Sequence, residues 1–399
     1  MLEVALGALE PVGAGALVVH GGAVEVDVAV LDEIDAIRRE MAAVLRAPKR
    51  WSGGLRRTTQ ARAIRGSNSI EGYDVTPEDA AAAVEGDEPL TADERTWKEI
   101  EGYRRVLTYV LRMATLPGFA LDAHTLRTMH FMLLEHDLSK SPGEFRRAAI
   151  YVQDESTGAN VYEGPDPDDV PALIDALVGA MSASSGEHSM VRGAMAHLNF
   201  VMIHPFRDGN GRMARVLQTL VLATDDILEP EFSSIEEWLG ANTRAYYDVL
   251  AATGQGAWNP QRDATAWVKF SLRAHHQQAQ TLRRRFRDAE NVWSALDDLV
   301  ATTGVPERSV DALFDAALGI RIRRSTYVNR TGVEERTATR DLAALATAGL
   351  LSPEGTTRGR GRYYLPGELL QNVVREARGE RTLVDPYPDL MRQIRMNLP

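Results

Sequence analysis

The stretch HPFRDGNGRMAR, residues 204–215, decides how the rest of this 399-residue chain is interpreted. Apolar residues at helical spacing precede it over 191–202 and resume directly after it, so a glycine-rich loop joins two helices. Gly209 and Gly211 allow successive backbone N–H groups to turn inward as a nest for an anion, and the positive end of the second helix dipole lies at the same place. The stretch therefore predicts a phosphate-binding loop at a helix N-terminus.

Four side chains of this stretch suit chemistry on a bound phosphate group. Arg212 and Arg215 lie three residues apart on the first helical turn, so both guanidinium groups can reach one polyphosphate. Asp208 is a hard oxygen ligand suited to Mg²⁺, and His204 can accept a proton from an attacking hydroxyl because its ordinary pKa lies near neutrality. These residues predict a Mg²⁺-assisted phosphate site with a general base. The structural alternative is a glycine-rich connector with a packed histidine and surface arginines.

Length and composition narrow the class of protein. The hydrophobic share of 44% and charged share of 25% are ordinary for a well-cored protein, and 399 residues predict two or three domains. Cysteine is absent, which excludes disulfides, thiolate catalysis and cysteine-ligated zinc. The N-terminus has no basic stretch before its apolar part, and no apolar run approaches the roughly 18 residues of a membrane helix. We therefore expect a soluble, cytoplasmic protein.

Helical spacing dominates the chain outside the loop. It predicts helices over residues 28–45, 100–111, 121–133 and 170–181. Residues 149–152 and 161–162 flank a polar turn and predict a short β-hairpin. From 292 to 365 the pattern is helix, helix, turn at Gly332, helix and a basic strand-loop-strand, which is the order of a winged helix-turn-helix.

Charge is distributed unevenly along the chain. The whole chain carries −11, but residues 321–365 contain nine arginines and four acidic residues, a net +5. Such a basic block suggests a local anionic partner. If this unit binds DNA, helix 335–348 enters the major groove with Arg336 and Arg340 facing it. The wing then grips phosphate through Arg358, Arg360 and Arg362. A solvated arginine-rich loop, or a winged helix that binds protein, accounts for the block as well.

The stretch HPFRDGNGRMAR resembles the signature of the Fic (Fido-domain) family, His-x-Phe-x-Asp/Glu-Gly-Asn-Gly-Arg-x-x-Arg, at every defined position. Other features between about 50 and 260 resemble the family too: Gly143-Glu-Phe145-Arg146, the hairpin, His197, and Asn242 with Tyr246-Tyr247. The resemblance implies a mainly α fold, with a Fic-type all-helical core, a β-hairpin flap and a C-terminal winged helix-turn-helix domain. The expected parts are an N-terminal helical region 1–115 with an inhibitory helix near 60–72, a Fic catalytic domain 116–262, a helical linker 263–290, a winged helix-turn-helix domain 291–370 and a tail 371–399.

The resemblance also implies an activity, the transfer of AMP from ATP onto a Ser, Thr or Tyr hydroxyl of a target protein. His204 would deprotonate that hydroxyl, and Asp208 would hold Mg²⁺ on the α- and β-phosphates. The nucleotide-binding residues would be Gly209, Asn210, Gly211, Arg212 and Arg215, with Asn242 and Tyr246 lining the adenine pocket. The hairpin, about 150–162, would dock the target backbone by strand addition.

Ser67-Asn-Ser-Ile-Glu71-Gly72 is similar to the family's inhibitory-helix motif, Ser/Thr-x-x-x-Glu followed by Gly or Asn. Four-residue spacing puts Ser67 and Glu71 on one helix face. Under this resemblance Glu71 pairs with Arg215 and occupies the space that the γ-phosphate needs. A capped helix end with a surface glutamate is the structural alternative.

Two further functions stay open. Fic relatives transfer other phosphate-containing groups, and some remove AMP, a reaction in which a glutamate such as Glu71 helps to position water. The chain could instead be a DNA-binding transcriptional regulator whose Fic-like domain senses nucleotide, although an intact His204 argues against it because a sensor needs no base. A homodimer is also compatible with the sequence.

Overall fold

The computed structural model describes residues 2–4, 24–153, 160–182, 187–224, 228–355, 362–379, 382–396 and 398. Most of these residues are helical, as the hydrophobic spacing predicts. The helices are α1 (Val28–Leu45), α2 (Ser52–Ile70), α3 (Pro77–Glu85), α4 (Glu94–Met113), α5 (Ala123–Leu134), α6 (Val170–Ser182), α7 (Ser189–Ile203), α8 (Asn210–Ala223), α9 (Glu236–Ala241), α10 (Thr243–Gly254), α11 (Thr265–Thr303), α12 (Val310–Ala317), α13 (Arg324–Thr331), α14 (Glu335–Thr347), α15 (Glu368–Ala377) and α16 (Leu390–Met396).

Short strands form three small sheets among the described residues. They are β1 (Leu2–Val4) with β2 (Val24–Val26), β3 (Tyr151–Gln153) with β4 (Asn160–Glu163) and β5 (Gly256–Ala257), and β6 (Leu351–Gly355) with β7 (Arg362–Pro366). The hairpin predicted over 149–162 is present as β3 and β4, which pair antiparallel with a register shift after Val152. Its turn, residues 154–159, lies outside the described residues. β5 adds to β4 in parallel, which leaves β3 at one edge of the sheet.

Local sequence signals explain several helix ends. Asp27 caps α1 by accepting the backbone N–H of Val30 at 3.3 Å. Helix α3 was not predicted, because its alanine-rich sequence has no apolar stripe. It begins with Thr76 as cap and Pro77 in the first turn, and it ends at Gly86 with φ +74°. Proline at the start and left-handed glycine at the end are usual helix boundaries.

Helix α2 runs through the arginine-bearing stretch and packs tightly against α9. A Cβ on Gly66 would lie 2.3 Å from the carbonyl oxygen of Glu236, and a Cβ on Gly240 would lie 2.6 Å from the Cα of Gly66. Only glycine permits backbones to approach this closely. The crossing therefore fixes the position of α2, including Ser67, which follows Gly66 directly.

Helix α11 connects the two halves of the molecule. It is one uninterrupted helix of 39 residues, and it runs across the boundary that we expected between residues 290 and 291. It contacts α7 and α10 on one side and α12 and α15 on the other. Within the part of the chain that the structure describes, no helix is both long and apolar enough to cross a membrane.

The C-terminal unit contains the predicted order of elements. Helices α12 and α13 are followed by a turn at Gly332 with φ +69°, helix α14, and the antiparallel hairpin β6–β7. Its core includes Tyr327, Leu342 and Leu350. The hairpin tip, residues 356–361, lies outside the described residues. The assignment of this unit as a winged helix-turn-helix stays a prediction.

Candidate functional site

The loop between α7 and α8 is held open by backbone conformation and by one side chain. Helix α7 ends at His204 in the left-handed conformation (φ 50°), and α8 begins after Gly209 (φ 76°). The Asn210 side chain accepts the Phe206 N–H at 3.0 Å and donates to the Phe206 carbonyl at 2.8 Å. No side chain caps α8. The N-terminus of α8 therefore follows the loop directly without a side-chain cap, and its role as an anion nest stays a prediction.

His204 is placed as a neutral base. Its Nδ1 lies 3.2 Å from the Val201 carbonyl oxygen, which only accepts, so Nδ1 carries the proton. The lone pair of the neutral ring is then on Nε2. Burial lowers the pKa of His204 to about 4, and the neighbouring charge of Arg146 adds to this effect. At neutral pH the imidazole is therefore uncharged and able to accept a proton.

Arg146, singled out in the Gly143–Arg146 segment, anchors the loop to the hairpin. Its Nε donates to the His204 carbonyl at 2.9 Å, and its Nη2 donates to the Pro165 carbonyl beside β4 at 2.6 Å. Its backbone N–H donates to the Pro205 carbonyl at 2.9 Å. Arg146 is therefore a positioning residue for His204 and for the base of the hairpin.

His130 holds the other side of the loop and was missed by sequence reasoning. Its Nδ1 accepts the Gly143 N–H at 2.8 Å, so its protonated Nε2 donates to the Asp208 carbonyl at 2.9 Å. Its ring stacks on Phe206 with centroids 3.7 Å apart. Burial lowers the pKa of His130 to about 4. No local motif marks this histidine, because its partners come from two distant segments.

Arg212 is buried in a charged cluster that the sequence did not reveal. Its Nη1 bonds Glu99 of α4, which also accepts from Tyr73 at 2.7 Å and Lys140 at 3.0 Å. Burial alone would raise the pKa of Glu99, but Arg212 and the other donors lower it to about 2. The Nε of Arg212 is buried without a hydrogen-bond partner, so one donor is left for an anion.

Asp208 suits the Mg²⁺ that the resemblance implies. Burial opposes ionisation, but Lys140 and Arg212 keep the pKa of Asp208 below its ordinary value. The carboxylate is 36% exposed, and its Oδ2 lies 2.7 Å from Lys140 Nζ. A bound cation would replace that ammonium at Oδ2. No group of three or more metal-ligating side chains exists among the described residues, so phosphate oxygens and waters would supply the other ligands, as is usual for Mg²⁺.

Arg215 is fully buried and is held by the end of α2. Its Nε donates to Ser67 Oγ at 2.7 Å, and its Nη2 donates to the Ser67 carbonyl at 3.0 Å and to Glu71 Oε1 at 2.7 Å. Burial lowers the pKa of this guanidinium, and Glu71 outweighs that effect and raises it. The expected ion pair between Glu71 and Arg215 is present. Arg215 Nη1 remains buried without a partner.

The Glu71 carboxylate also lies over the anion nest. A Cβ on Gly211 would approach Glu71 Oε1 to 2.5 Å, so the carboxylate is seated on the first turn of α8. Gly72 follows with φ +83° and ends the helix. The first turn of α8, Arg215 and Glu71 therefore form one contiguous group.

The two residues expected around adenine differ in exposure, since Tyr246 is buried and Asn242 is partly exposed. Tyr246 is 2% exposed, and its hydroxyl bonds His197 Nε2 at 3.0 Å. Asn242 precedes α10, and its Nδ2 donates to the Trp238 carbonyl at 2.8 Å. The neighbouring Tyr247 is exposed, and its hydroxyl donates to the Ile70 carbonyl at the end of α2. The roles of Asn242 and Tyr246 stay predictions.

The arginines of the basic C-terminal block divide into two groups. Arg336 and Arg340 are exposed on α14, and Arg362 stacks on Tyr364 at 5.3 Å. Arg358 and Arg360 lie outside the described residues. Three other arginines pair with carboxylates, Arg323 with Asp87, Arg324 with Glu335, and Arg330 with Asp315 and Glu85. Part of the positive charge of this block is therefore neutralised by carboxylates of the same protein.

Comparison with known proteins agrees with the signature. The model of the Fic/DOC family matches residues 120–222. A protein adenylyltransferase Fic from Culex quinquefasciatus is 32% identical over 126 residues, 31% of this chain and 24% of that protein. One from Nematostella vectensis is 27% identical over 159 residues, 39% of this chain and 36% of that protein. The chain thus spans about a quarter to a third of these curated relatives.

The fold also resembles a solved one. The crystal structure of a Fic family protein from Desulfovibrio desulfuricans G20 superimposes with a TM-score of 0.54 at 23% identity, covering 89% of this chain and 97% of that one. This likeness concerns the fold alone, a mainly helical architecture with small sheets. The family model therefore matches residues 120–222 of a longer, mainly helical chain, and the solved structure shows a similar fold over most of that chain.

Proposed function

We propose that this protein transfers AMP from ATP to a Ser, Thr or Tyr hydroxyl of a target protein, and that Glu71 restrains the reaction. The observation that carries the proposal is the seat of Glu71: its carboxylate pairs with Arg215 and covers Gly211 at the N-terminus of α8. A carboxylate in an anion nest marks where a phosphate group would bind. The activity named for the curated relatives supports the same reaction.

The chemistry assigned to the loop is nucleophilic substitution at the α-phosphorus. The target hydroxyl oxygen forms a bond to phosphorus, the bond to the β-phosphate oxygen breaks, and pyrophosphate leaves. His204 takes the hydroxyl proton on Nε2, which is the unprotonated nitrogen in this structure. The nest N–H groups and Arg215 bind the phosphates, and Mg²⁺ on Asp208 would neutralise their charge.

Restraint by Glu71 follows from competition for one guanidinium. When the Glu71 carboxylate pairs with Arg215, the γ-phosphate of ATP loses its guanidinium partner and the space that it needs. The nucleotide then binds with its α-phosphate out of line with the attacking hydroxyl. Ser67, on the same helix as the residues leading to Glu71, also holds Arg215 of α8 through two hydrogen bonds. The end of α2 is thus the inhibitory element of the proposal.

The target would dock on the hairpin by strand addition. Strand β3 forms an edge of the sheet, and Tyr151 is 47% exposed there. An open strand edge pairs with an extended peptide through main-chain hydrogen bonds. Arg146 connects this edge to His204, so a docked hydroxyl would be presented near the base.

Label incorporation tests the reaction class and the donor. Glu71→Gly protein is incubated with Mg²⁺ and ATP labelled at the α-phosphate, and in parallel with GTP and UTP. We expect the intact mass of Glu71→Gly to increase by one AMP group with ATP but not to change with GTP or UTP. The double variant Glu71→Gly/His204→Ala should show no increase. A mass gain from GTP or UTP would identify a different donor, and the absence of any gain in protein shown to bind ATP would refute AMP transfer onto the protein itself.

DNA binding by the C-terminal unit is the second candidate. It is favoured by the exposed arginines Arg336 and Arg340 on one face of α14, opposite the buried Leu342. Because these arginines would contact DNA, their replacement by glutamine should weaken binding in gel-shift titrations. Absence of salt-sensitive binding by the wild-type protein would rule the candidate out.

A further inference from the structure

A cavity of about 530 Å³ lies behind α2, on the side away from Arg215. Its walls come from α2, α3, α9 and residues 318–320 of the C-terminal unit. Residues Arg62, Arg65, Gly66 and Ser69 of α2 line it, whereas Ser67 and Glu71 contact Arg215. A volume of this size accommodates a small organic molecule.

One guanidinium group in the wall of the cavity, that of Arg62, has an incomplete set of partners. Arg62 Nη1 is buried without a hydrogen-bond partner, and Arg62 Nε lies 3.7 Å from Glu237. Glu237 already accepts two short hydrogen bonds from Arg285, at 2.6 and 2.7 Å. The carboxylate that faces Arg62 is therefore engaged by a second arginine.

Positive charge is in excess around Arg62. Burial lowers the pKa of Arg62 to about 10, and repulsion from Arg285, Arg378 and Arg284 adds to the effect while Glu237 opposes it. Arg62 and Arg285 both approach the Glu237 carboxylate, at 3.7 and 2.6 Å. The Arg62 side chain is only partly buried, at 32% exposure, so an anion that enters the cavity can reach it and offset the repulsion between like charges.

The backbone of Glu78, another residue of the wall, lies beside a second incompletely paired arginine. Glu78 lines the cavity, and Arg321 donates from Nη2 to the Glu78 carbonyl at 3.3 Å. Arg321 is 8% exposed, and its Nη1 is buried without a partner. The remaining lining includes apolar surface from Ala61, Ala81, Leu318 and Ile320.

We propose that this cavity binds a small organic anion. Its carboxylate or phosphate group would contact Arg62 and Arg65, and its apolar body would pack on Ala81 and Leu318. A forked guanidinium matches both kinds of anionic group. Nothing in the phosphate loop contributes to this wall, so the cavity is a second ligand site.

The position of the cavity couples it to the end of α2, and this part of the inference rests on the proposed function. Gly66 and Gly240 line the cavity and form the close crossing of α2 with α9. An anion that offsets the repulsion between Arg62 and the arginines of α11 strengthens the docking of α2. Glu71 is then held on Arg215, and the bound anion inhibits AMP transfer.

Calorimetric titration with phenyl phosphate and with benzoate tests the site in the full chain. We compare the wild type with Arg62→Gln, which removes the charge, and Ala81→Phe, which fills the space. Arg392→Gln is the matched control, because that side chain is 73% exposed on α16, and Arg215→Ala removes the phosphate loop's own arginine. We expect at least tenfold weaker binding in both cavity variants and unchanged binding of at least one probe in both Arg392→Gln and Arg215→Ala.

Retained binding of the probes in both cavity variants, or absence of binding by the wild type, would overturn the proposed site.

The coupling to the end of α2 is measured by amide hydrogen exchange. The bound probe should slow exchange within α2 in the wild type but not in Arg62→Gln. Unchanged α2 exchange at saturation would overturn the coupling. Label incorporation should fall with the probe in the wild type and not in Glu71→Gly. If neither protein incorporates label, the proposed function fails while the titration result is unaffected.

Discussion

At the scale of single residues, the surroundings of His204 determine its tautomer and its protonation state, on which the proposed role as a base depends. The Val201 carbonyl fixes the proton on Nδ1, and burial with Arg146 keeps the ring neutral. His204→Ala should therefore reduce AMP transfer by about 10²–10⁴-fold, while ATP affinity stays within about threefold because the nest and Arg215 are intact. Label incorporation and calorimetry measure the two effects, and near-normal labelling would contradict the assignment.

Glu99 has no place in a local motif, yet it supports the buried Arg212. Removing one partner of a buried charge pair leaves the other uncompensated, which costs about 3–5 kcal/mol. Glu99→Gln should therefore lower the free energy of unfolding by several kcal/mol, as measured by denaturant titration. Lys98→Gln, at an exposed ion pair of the same helix, is the control and should change it little. If the two variants change the free energy of unfolding equally, Glu99 does not stabilise the buried Arg212.

The sequence was most informative where residues act within one short segment. Spacing within the loop predicts His204, Asp208 and the glycines as site residues, and the resemblance predicts the pairing of Glu71 with Arg215, which is present; the roles of these residues stay predictions. His130 and Glu99 could not be predicted, because their partners lie in segments far along the chain and meet only through packing. Lys140, which bridges Glu99 and Asp208, belongs to the same group.

At the scale of elements, the crossing of α2 and α9 controls where Glu71 lies. A Cβ on Gly66 would meet backbone atoms of Glu236 and Glu237 at 2.3–2.9 Å, so the helices must separate. Gly66→Ala should therefore lower the free energy of unfolding and raise the basal labelling rate by displacing Glu71 from Arg215.

Gly53→Ala in the same helix is the matched control. Its Cβ would meet only the Nη1 atom of the Arg57 side chain, at 3.3 Å, and no backbone atom, and alanine is favoured over glycine inside helices. This variant should be as stable as the wild type or slightly more stable, with an unchanged labelling rate. If Gly66→Ala behaves in the same way, the crossing does not position Glu71.

At the scale of the whole molecule, buried histidines set the pH range of stability. Burial lowers the pKa of His130 to about 4 and those of His197 and His275 to about 3. Between these values and the ordinary 6.5, only the unfolded chain binds the protons, so stability falls as pH decreases through this interval. Each proton that only the unfolded chain binds lowers the free energy of unfolding by about 1.4 kcal/mol for each pH unit of decrease.

Thermal unfolding between pH 7.5 and 5 measures this dependence. We expect the melting temperature to fall steadily below about pH 6.5. His275→Gln should reduce the slope of melting temperature against pH, because it removes one histidine that is protonated only in the unfolded chain. A melting temperature that rises toward pH 5 would contradict the assignment of neutral histidines in the folded state.

The connection between the two halves could be predicted only in part. The order of the C-terminal elements follows from hydrophobic spacing and Gly332. The interface does not, because Arg57 of α2, Glu85 of α3, and Asp315 and Arg330 of the C-terminal unit form one ionic cluster across segments far apart in sequence. Charge counting alone therefore overstated the basic surface.

The restraint of AMP transfer by Glu71 is tested most directly by paired time courses with labelled ATP. Wild type and Glu71→Gly are compared at equal concentration, after titration shows that both bind ATP, with Arg215→Ala as the control that loses the phosphate contact together with the ion pair. We predict that Glu71→Gly incorporates AMP at least tenfold faster than the wild type and that Arg215→Ala is not activated. Equal rates for the wild type and Glu71→Gly would contradict the account.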